Sequence, residues 1–225
     1  MNIHMQANTG KYRMSGKEGF ASFVLRMRSR GLHDPRLFAA IEATPRQHFI
    51  NSAYQDFAYS NRVLPLACGE SIEGLDDQAR FLSALSLEAG HRVLEIGTGS
   101  GFTAAVMARL AARVTTIERY KTLAEAARNQ FQAHQIENVV CKHADGRHGV
   151  AGGPYDRIIV WLASDAMPRQ YLDLLATHGV MIAPVGQGDG QQVMCRMAKV
   201  GSRFEREDLM MVRYQPFIEG SAAFL

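Results

Sequence analysis

The residues best placed to do chemistry lie where strand character stops at glycine. In RVLEIGTGSGFT (92–103) Glu95 precedes the turn Gly97-x-Gly99-x-Gly101, and an alanine-rich segment with helical spacing follows from Ala104. A strand that ends at such a turn and restarts as a helix leaves backbone N–H groups and a positive helix end facing one small concavity. That is the geometry of a cofactor pocket. Two more acids occupy comparable places, Glu118 at the end of VTTIE and Asp145 before Gly146.

Three nucleotide-type ligands compete for the turn. A phosphate-gripping loop needs Lys followed by Ser or Thr after its last glycine, where this chain has Phe102-Thr103. A dinucleotide site needs a third glycine at the position of Phe102, so that helix and strand pack closely. The pattern that fits has an acid two residues before the first glycine and a second acid at the tip of the next strand. Glu118 can accept both ribose hydroxyls of an adenosine. Glu95 suits a ligand with a cationic amino group and no pyrophosphate, and Asp145 stands where it can meet the adenine amino group. Those requirements describe S-adenosyl-L-methionine. Thr98, Ser100, Arg119 and Gly146 complete the expected lining. A solvated strand end is the plainer account of any one of these acids, but it explains three at successive strand ends poorly.

The elements that must position them alternate. Helices are expected over 104–111, 122–135 and 169–176, and strands over 114–118, 139–143, 157–162 and 180–185. Such alternation predicts an α/β fold with a mostly parallel twisted sheet and helices on both faces, because parallel neighbours need crossover connections. The stretches 191–200 and 204–217, around Gly201-Ser202, read as a C-terminal antiparallel hairpin. Upstream, helices are expected over 18–30, 35–43 and 76–87. Residues 46–74 lack clear periodicity and read as an irregular cover, with a substrate-binding role open.

At 225 residues the chain has room for one full α/β core. Residues 1–17 are expected to be a disordered tail, 18–90 an N-terminal helical and substrate-covering region, and 91–225 the core of the same domain. The net charge of +3 is spread without a basic run, so the balance does not by itself argue for nucleic acid, and none is expected as a partner. Cys68, Cys141 and Cys195 are too scattered for a disulfide framework or zinc, and His143 and His148 lack a third ligand, so no metal is expected. Without a membrane-length apolar run or a signal-peptide core, a cytoplasmic protein is expected. Met194, Met197, Met210 and Met211 read as hairpin core, and Trp161 as core.

The strings VLEIGTGSGF, IER (117–119), HADGR (143–147), YDRIIV (155–160) and IAPVG (182–186) closely resemble the protein-L-isoaspartate O-methyltransferases. RGLHDPRLFAAIEATPRQHFI (30–50), LPLACGESI (64–72) and VRYQPF (212–217) extend the likeness over nearly everything after residue 20. The resemblance implies a Rossmann-like methyltransferase fold, S-adenosyl-L-methionine as cofactor with S-adenosyl-L-homocysteine as product, and isoaspartyl residues of damaged proteins as substrate. No nucleic-acid or membrane partner is implied, and the chain is expected to be a monomer or weak oligomer. The family places Thr-Ile-Ser-x-Pro over the cofactor, with the serine in the active site. Here the run is Ser71-Ile72-Glu73-Gly74-Leu75, so Ser71 and Glu73 are the catalytic candidates, with Glu73 at the serine position.

A hydroxyl can donate a hydrogen bond to an acceptor carboxylate. An ionised glutamate cannot, and its charge opposes that of the acceptor, though repulsion can also leave one of the two acids protonated. Three readings stand open. Glu73 points away and isoaspartyl transfer survives, Glu73 acts as general base for a proton-bearing acceptor, or the chain binds cofactor without transferring methyl groups. Trp161-Leu162-Ala163-Ser164-Asp165 also departs from the family's small alanine-rich stretch, and Asp165 is expected to make the acceptor pocket more acidic.

Overall fold

The structure, a computed structural model, describes residues 16–147, 152–188 and 190–222. Residues 1–15 of the expected tail, and His148, lie outside the described residues. Gly16 and Lys17, expected in the tail, instead open α1 (Gly16–Ser29), whose Phe23 and Met27 are buried. Gly31, at φ 86°, closes its end as glycine does after a helix. In α2 (Pro35–Glu42) the Asp34 carboxylate accepts from the backbone N–H of Arg36 and Leu37 at 3.0 Å each, while Pro35 takes the first turn where no N–H partner is needed.

Two 3-10 turns, Arg46–Phe49 and Ser52–Phe57, carry the chain to a short antiparallel pair, β1 (Leu64–Pro65) with β2 (Ser71–Ile72). Helix α3 (Leu75–Ala84) follows and is stapled to α1 by a buried acid. Asp76, with no exposed surface, accepts from Arg26 Nε at 2.7 Å, Arg26 Nη2 at 2.6 Å and Arg30 Nη1 at 2.6 Å. Both arginines reach solvent and can rehydrate once released. Asp76→Ala is therefore expected to cost only about 2 kcal/mol, below the loss seen when a fully buried pair is broken. Urea unfolding checks this, since an unchanged midpoint would show that the staple contributes nothing.

The main sheet comprises β3 (Arg92–Ile96), β4 (Arg113–Glu118), β5 (Val139–His143), β6 (Tyr155–Val160), β7 (Leu175–Val185), β8 (Gln192–Val200) and β9 (Arg203–Val212). Helices α4 (Phe102–Ala108), α5 (Lys121–Ala133) and the short α6 (Arg169–Leu172) connect its first five strands. The order is β5-β4-β3-β6-β7-β8-β9, parallel through β7 and antiparallel beyond. The strand order reverses between β3 and β6. Ligands of open α/β sheets bind at that switch, outside the carboxyl ends of the strands.

The central strands are buried on both faces, and successive residues serve different cores. Val93 joins Phe23, Leu75, Phe102 and Trp161 on one side, whereas Leu94 and Ile96 join Ile158, Val160 and Tyr171 on the other.

Three expectations are corrected. Helix α6 stops at Leu172, and β7 begins at Leu175, where Leu175 pairs with Tyr155. Sheet pairing overrides the helical propensity of the Leu-Leu-Ala run. Strand β9 ends at Val212, and residues 213–222 turn across the strand tips in place of continuing the hairpin. Of the methionines, Met194 and Met197 are buried, but Met211 is half exposed at the cavity rim.

Candidate functional site

Beyond Ile96 the backbone runs through Gly97, Gly99 and Gly101 at φ 93°, 52° and 83°, a left-handed sequence that suits glycine. Space matters as well as conformation. A Cβ on Gly101 would sit 3.0 Å from Ala127 and Phe131 of α5. The turn borders a partly open cavity of about 440 Å³ at the carboxyl ends of the parallel strands.

Glu118, the last residue of β4, fixes this turn. Its Oε2 accepts from Gly99 N–H at 2.9 Å and its Oε1 from Tyr120 N–H at 3.0 Å, and the residue is only 5% exposed. Burial pushes its pKa up, while these N–H donors pull it down. With about four lone-pair sites, the carboxylate keeps acceptor capacity beyond its bonds to the backbone N–H groups of Gly99, Tyr120 and Arg119. Asp145 lies on the same wall beyond β5. Its Oδ1 accepts from Arg147 N–H at 2.9 Å and its Oδ2 from Gly220 N–H at 2.7 Å. Gly146 permits close approach here, since a Cβ would meet Ile96 at 2.8 Å. Thr98, Ser100 and Arg119 also line the cavity, and the Arg119 guanidinium lies over the Tyr120 ring at 4.7 Å.

Glu95 is placed differently from the expectation that it lines the site. It has no exposed surface and lies behind the wall, accepting from Thr103 Oγ1 at 2.5 Å, Thr116 Oγ1 at 2.7 Å and Trp161 Nε1 at 2.9 Å. The cause is strand parity. Glu95 points with Val93 into the layer that holds Trp161, while Ile96 faces the other. Burial raises its pKa to about 7 against those three donors. Thr103 and Trp161, which do line the cavity, connect Glu95 to it.

The other wall comes from the irregular segment. Ser71 and Glu73 border the cavity with Glu70 and Asp77. Burial raises the pKa of all three acids, that of Glu73 to about 7, with the charges of Glu95 and Glu70 adding to the effect on Glu73. Asp165 is exposed and lies away from the cavity, so it does not acidify the pocket as expected.

Behind Glu73 sits Arg46, with no exposed surface, donating to the carbonyl oxygens of Ala58 at 2.7 Å and Glu73 at 2.5 Å. Its guanidinium lies 5.5 Å from the Phe102 ring centre. Burial lowers its pKa to about 10, so it remains charged at neutral pH. Sequence reasoning missed this residue, because an isolated arginine in an aperiodic stretch ordinarily reads as surface.

The C-terminal segment closes the cavity and was also missed. Gln192 Oε1 accepts from Tyr214 N–H at 2.8 Å. Ala163 N–H donates to Gln215 at 2.8 Å, Phe217 N–H to Ala163 at 2.9 Å, and Ala222 N–H to Arg119 at 2.7 Å. With the Gly220 bond to Asp145, the segment visits the loops after β6, β5 and β4 in turn. The aromatic and proline content of VRYQPF was the available signal.

Among the described residues no three His, Cys, Asp or Glu side chains gather as a metal site, and no helix is long and apolar enough to cross a membrane.

The family described as protein-L-isoaspartate(D-aspartate) O-methyltransferase (PCMT) matches residues 21–222. A protein-L-isoaspartate O-methyltransferase of Rhizobium meliloti is 44% identical over 203 residues, 90% of this chain and 100% of the relative. That of Azorhizobium caulinodans is 41% identical over 206 residues, 91% of this chain and 95% of the relative. A solved protein-L-isoaspartate O-methyltransferase, 25% identical, superposes with a TM-score of 0.78 over 88% of this chain and 65% of its own. A Plasmodium falciparum structure described as such an enzyme in complex with S-adenosyl-L-homocysteine is 20% identical and shares the fold, with a TM-score of 0.75 over 88% of this chain and 97% of its own.

Proposed function

The chain belongs to the protein-L-isoaspartate(D-aspartate) O-methyltransferase family, and on that premise we propose that it esterifies the free carboxylate of isoaspartyl residues in damaged proteins, using S-adenosyl-L-methionine. The observation that carries this reading is one cavity that has the glycine turn and Glu118 on one wall and Ser71 and Glu73 on the other. The residues fit the cofactor. The turn allows close approach, and Glu118 has spare acceptor capacity for the ribose hydroxyls. Asp145 suits the adenine edge, and Glu95 acts through Thr103 and Trp161 in place of touching the ligand.

The cofactor supplies an electrophilic methyl group on a sulfonium. The acceptor carboxylate is ionised near neutral pH and needs no base. What the chain must do is orient it and exclude water, and the C-terminal segment over the cavity serves the second purpose. Residues 18–90 form the acceptor wall in this proposal, and 91–225 the cofactor wall. The three cysteines are free thiols, which suits a reducing cytoplasm, and a monomer or weak oligomer suffices because one chain supplies both walls.

Labelled methyl transfer to an isoaspartyl peptide, compared with its normal aspartyl twin, tests the proposal. Base-labile label on the first peptide alone is the expected result. The acids Glu70, Glu73 and Asp77 favour a second reading, a proton-bearing acceptor with Glu73 as base. Base-stable label on another acceptor, with neither peptide labelled, would establish that reading in place of the first.

A further inference from the structure

We propose that Glu73 works as a neutral carboxylic acid, donating a hydrogen bond to the acceptor carboxylate from the place where the family carries a serine hydroxyl. The inference rests on the isoaspartyl reading above and adds how an acid can serve an anionic acceptor.

The geometry sets the condition. Glu73 follows β2 directly and faces the cavity, and its backbone carbonyl is held by Arg46 Nη2, so the backbone that carries it cannot shift without stripping a buried cation of a partner. The groups around its carboxyl are mostly acids. Glu70 stands on the loop before β2, Asp77 on α3 and Glu95 on β3, while Tyr214 approaches from the C-terminal segment. Arg46 is the opposing cation, and its charge pulls the Glu73 pKa down; its two Nη atoms each donate to a carbonyl oxygen and its buried Nε has no partner, so no hydrogen bond joins it to the Glu73 carboxyl. Among the described residues no other side chain pairs with the Glu73 carboxyl, and its own backbone N–H is the donor that it has. Glu95, whose pKa burial likewise raises to about 7, differs in position: it lies behind the wall with its oxygens bonded to Thr103, Thr116 and Trp161. Of the two, Glu73 is the one that faces the cavity and an acceptor there.

Glu73 keeps part of its surface exposed at the cavity face, and desolvation with these neighbours raises its pKa to about 7. A bound acceptor carboxylate adds another negative charge and raises it further. The neutral acid presents one O–H donor. Methyl transfer to an ionised carboxylate forms the ester oxygen–carbon bond and breaks the methyl–sulfur bond, with its electron pair left on sulfur. No proton changes hands, so the Glu73 proton is retained through turnover.

The test is the pH profile of kcat/KM for the isoaspartyl peptide between about pH 6 and about pH 9. Wild type is expected to lose about tenfold per unit once Glu73 ionises. Glu73→Gln keeps an N–H donor that does not titrate, and Glu73→Ser restores a hydroxyl. Both are expected to stay active with the alkaline fall abolished. Glu73→Ala lacks a donor and is expected to lose about 100-fold at the acid end. Infrared difference spectra of the cofactor-free protein give a second readout. A protonated-carboxyl stretch is expected at about pH 6 that exceeds the one left in Glu73→Gln, where Glu95 still contributes, and this excess is lost as pH rises through the titration. Wild-type activity that stays level or rises to the alkaline end would overturn the proposal. So would Glu73→Ala as active as wild type, or spectra without that excess. No labelling of the peptide at any pH, with S-adenosyl-L-homocysteine still binding, would sink the isoaspartyl reading and this inference with it, an outcome distinct from a flat profile in an active enzyme.

Discussion

Glu118→Ala is expected to weaken S-adenosyl-L-homocysteine binding roughly 100-fold, the equivalent of about 3 kcal/mol for two hydrogen bonds from ribose hydroxyls to a charged acceptor. The carboxylate is nearly buried, and the bonds it already makes to Gly99 and Tyr120 aim it and hold the glycine turn against the strand tip. Its loss removes the acceptor and slackens the turn together. Folding should suffer less, because burial already works against the charged form of this acid and the exposed ends of the freed N–H groups meet the cavity. Glu118→Gln keeps one acceptor oxygen in place and should fall between the two. Calorimetric titration of the three proteins checks this, and equal affinity in wild type and Glu118→Ala would remove Glu118 from the adenosine site.

Arg46→Met should be the most damaging change to the fold. The replacement fills similar volume but leaves the carbonyl oxygens of Ala58 and Glu73 without donors in the interior, at about 1 to 3 kcal/mol each. Relief from burying a cation offsets part of that, leaving a net loss of about 3 kcal/mol. Arg46→Lys should not rescue it, since one ammonium cannot reproduce a planar fork that reaches two carbonyls while covering the Phe102 ring. Urea unfolding gives the loss. The transfer rate should fall further than the folded fraction does, because the Glu73 backbone is released. A stable and fully active Arg46→Met protein would show that the acceptor wall does not depend on this cation.

The parts of the molecule legible in its sequence are those in which local pattern and tertiary placement agree. The alternation after Arg92 announced the parallel sheet, and β5 falls on residues 139–143 as its β-branched run suggested. The glycine turn was equally plain, because few other arrangements use three left-handed residues in five. Glu95 marks where reading by motif stops. Its place before the turn put it at the pocket, yet side-chain parity along β3, itself readable in the sequence, sends it to the opposite layer from Ile96. The start of β7 was hidden because Leu175 enters the sheet through an irregular register with Tyr155, a fact of pairing and not of local propensity. Arg46 and the crossing of residues 213–222 were hidden for a related reason. Each is defined by partners far along the chain, the one by Ala58 and Glu73, the other by loops after three strands.

That crossing has a thermodynamic consequence. One run of ten residues bonds to Asp145 and Arg119 after β5 and β4, and its Tyr214 lines the same cavity as Glu73. Free energy that one ligand contributes toward fixing this run need not be supplied again by the other. Were each ligand to tighten this run, the two binding equilibria would be coupled, and linkage would make the coupling reciprocal: the factor by which cofactor tightens acceptor binding would equal the factor by which acceptor tightens cofactor binding.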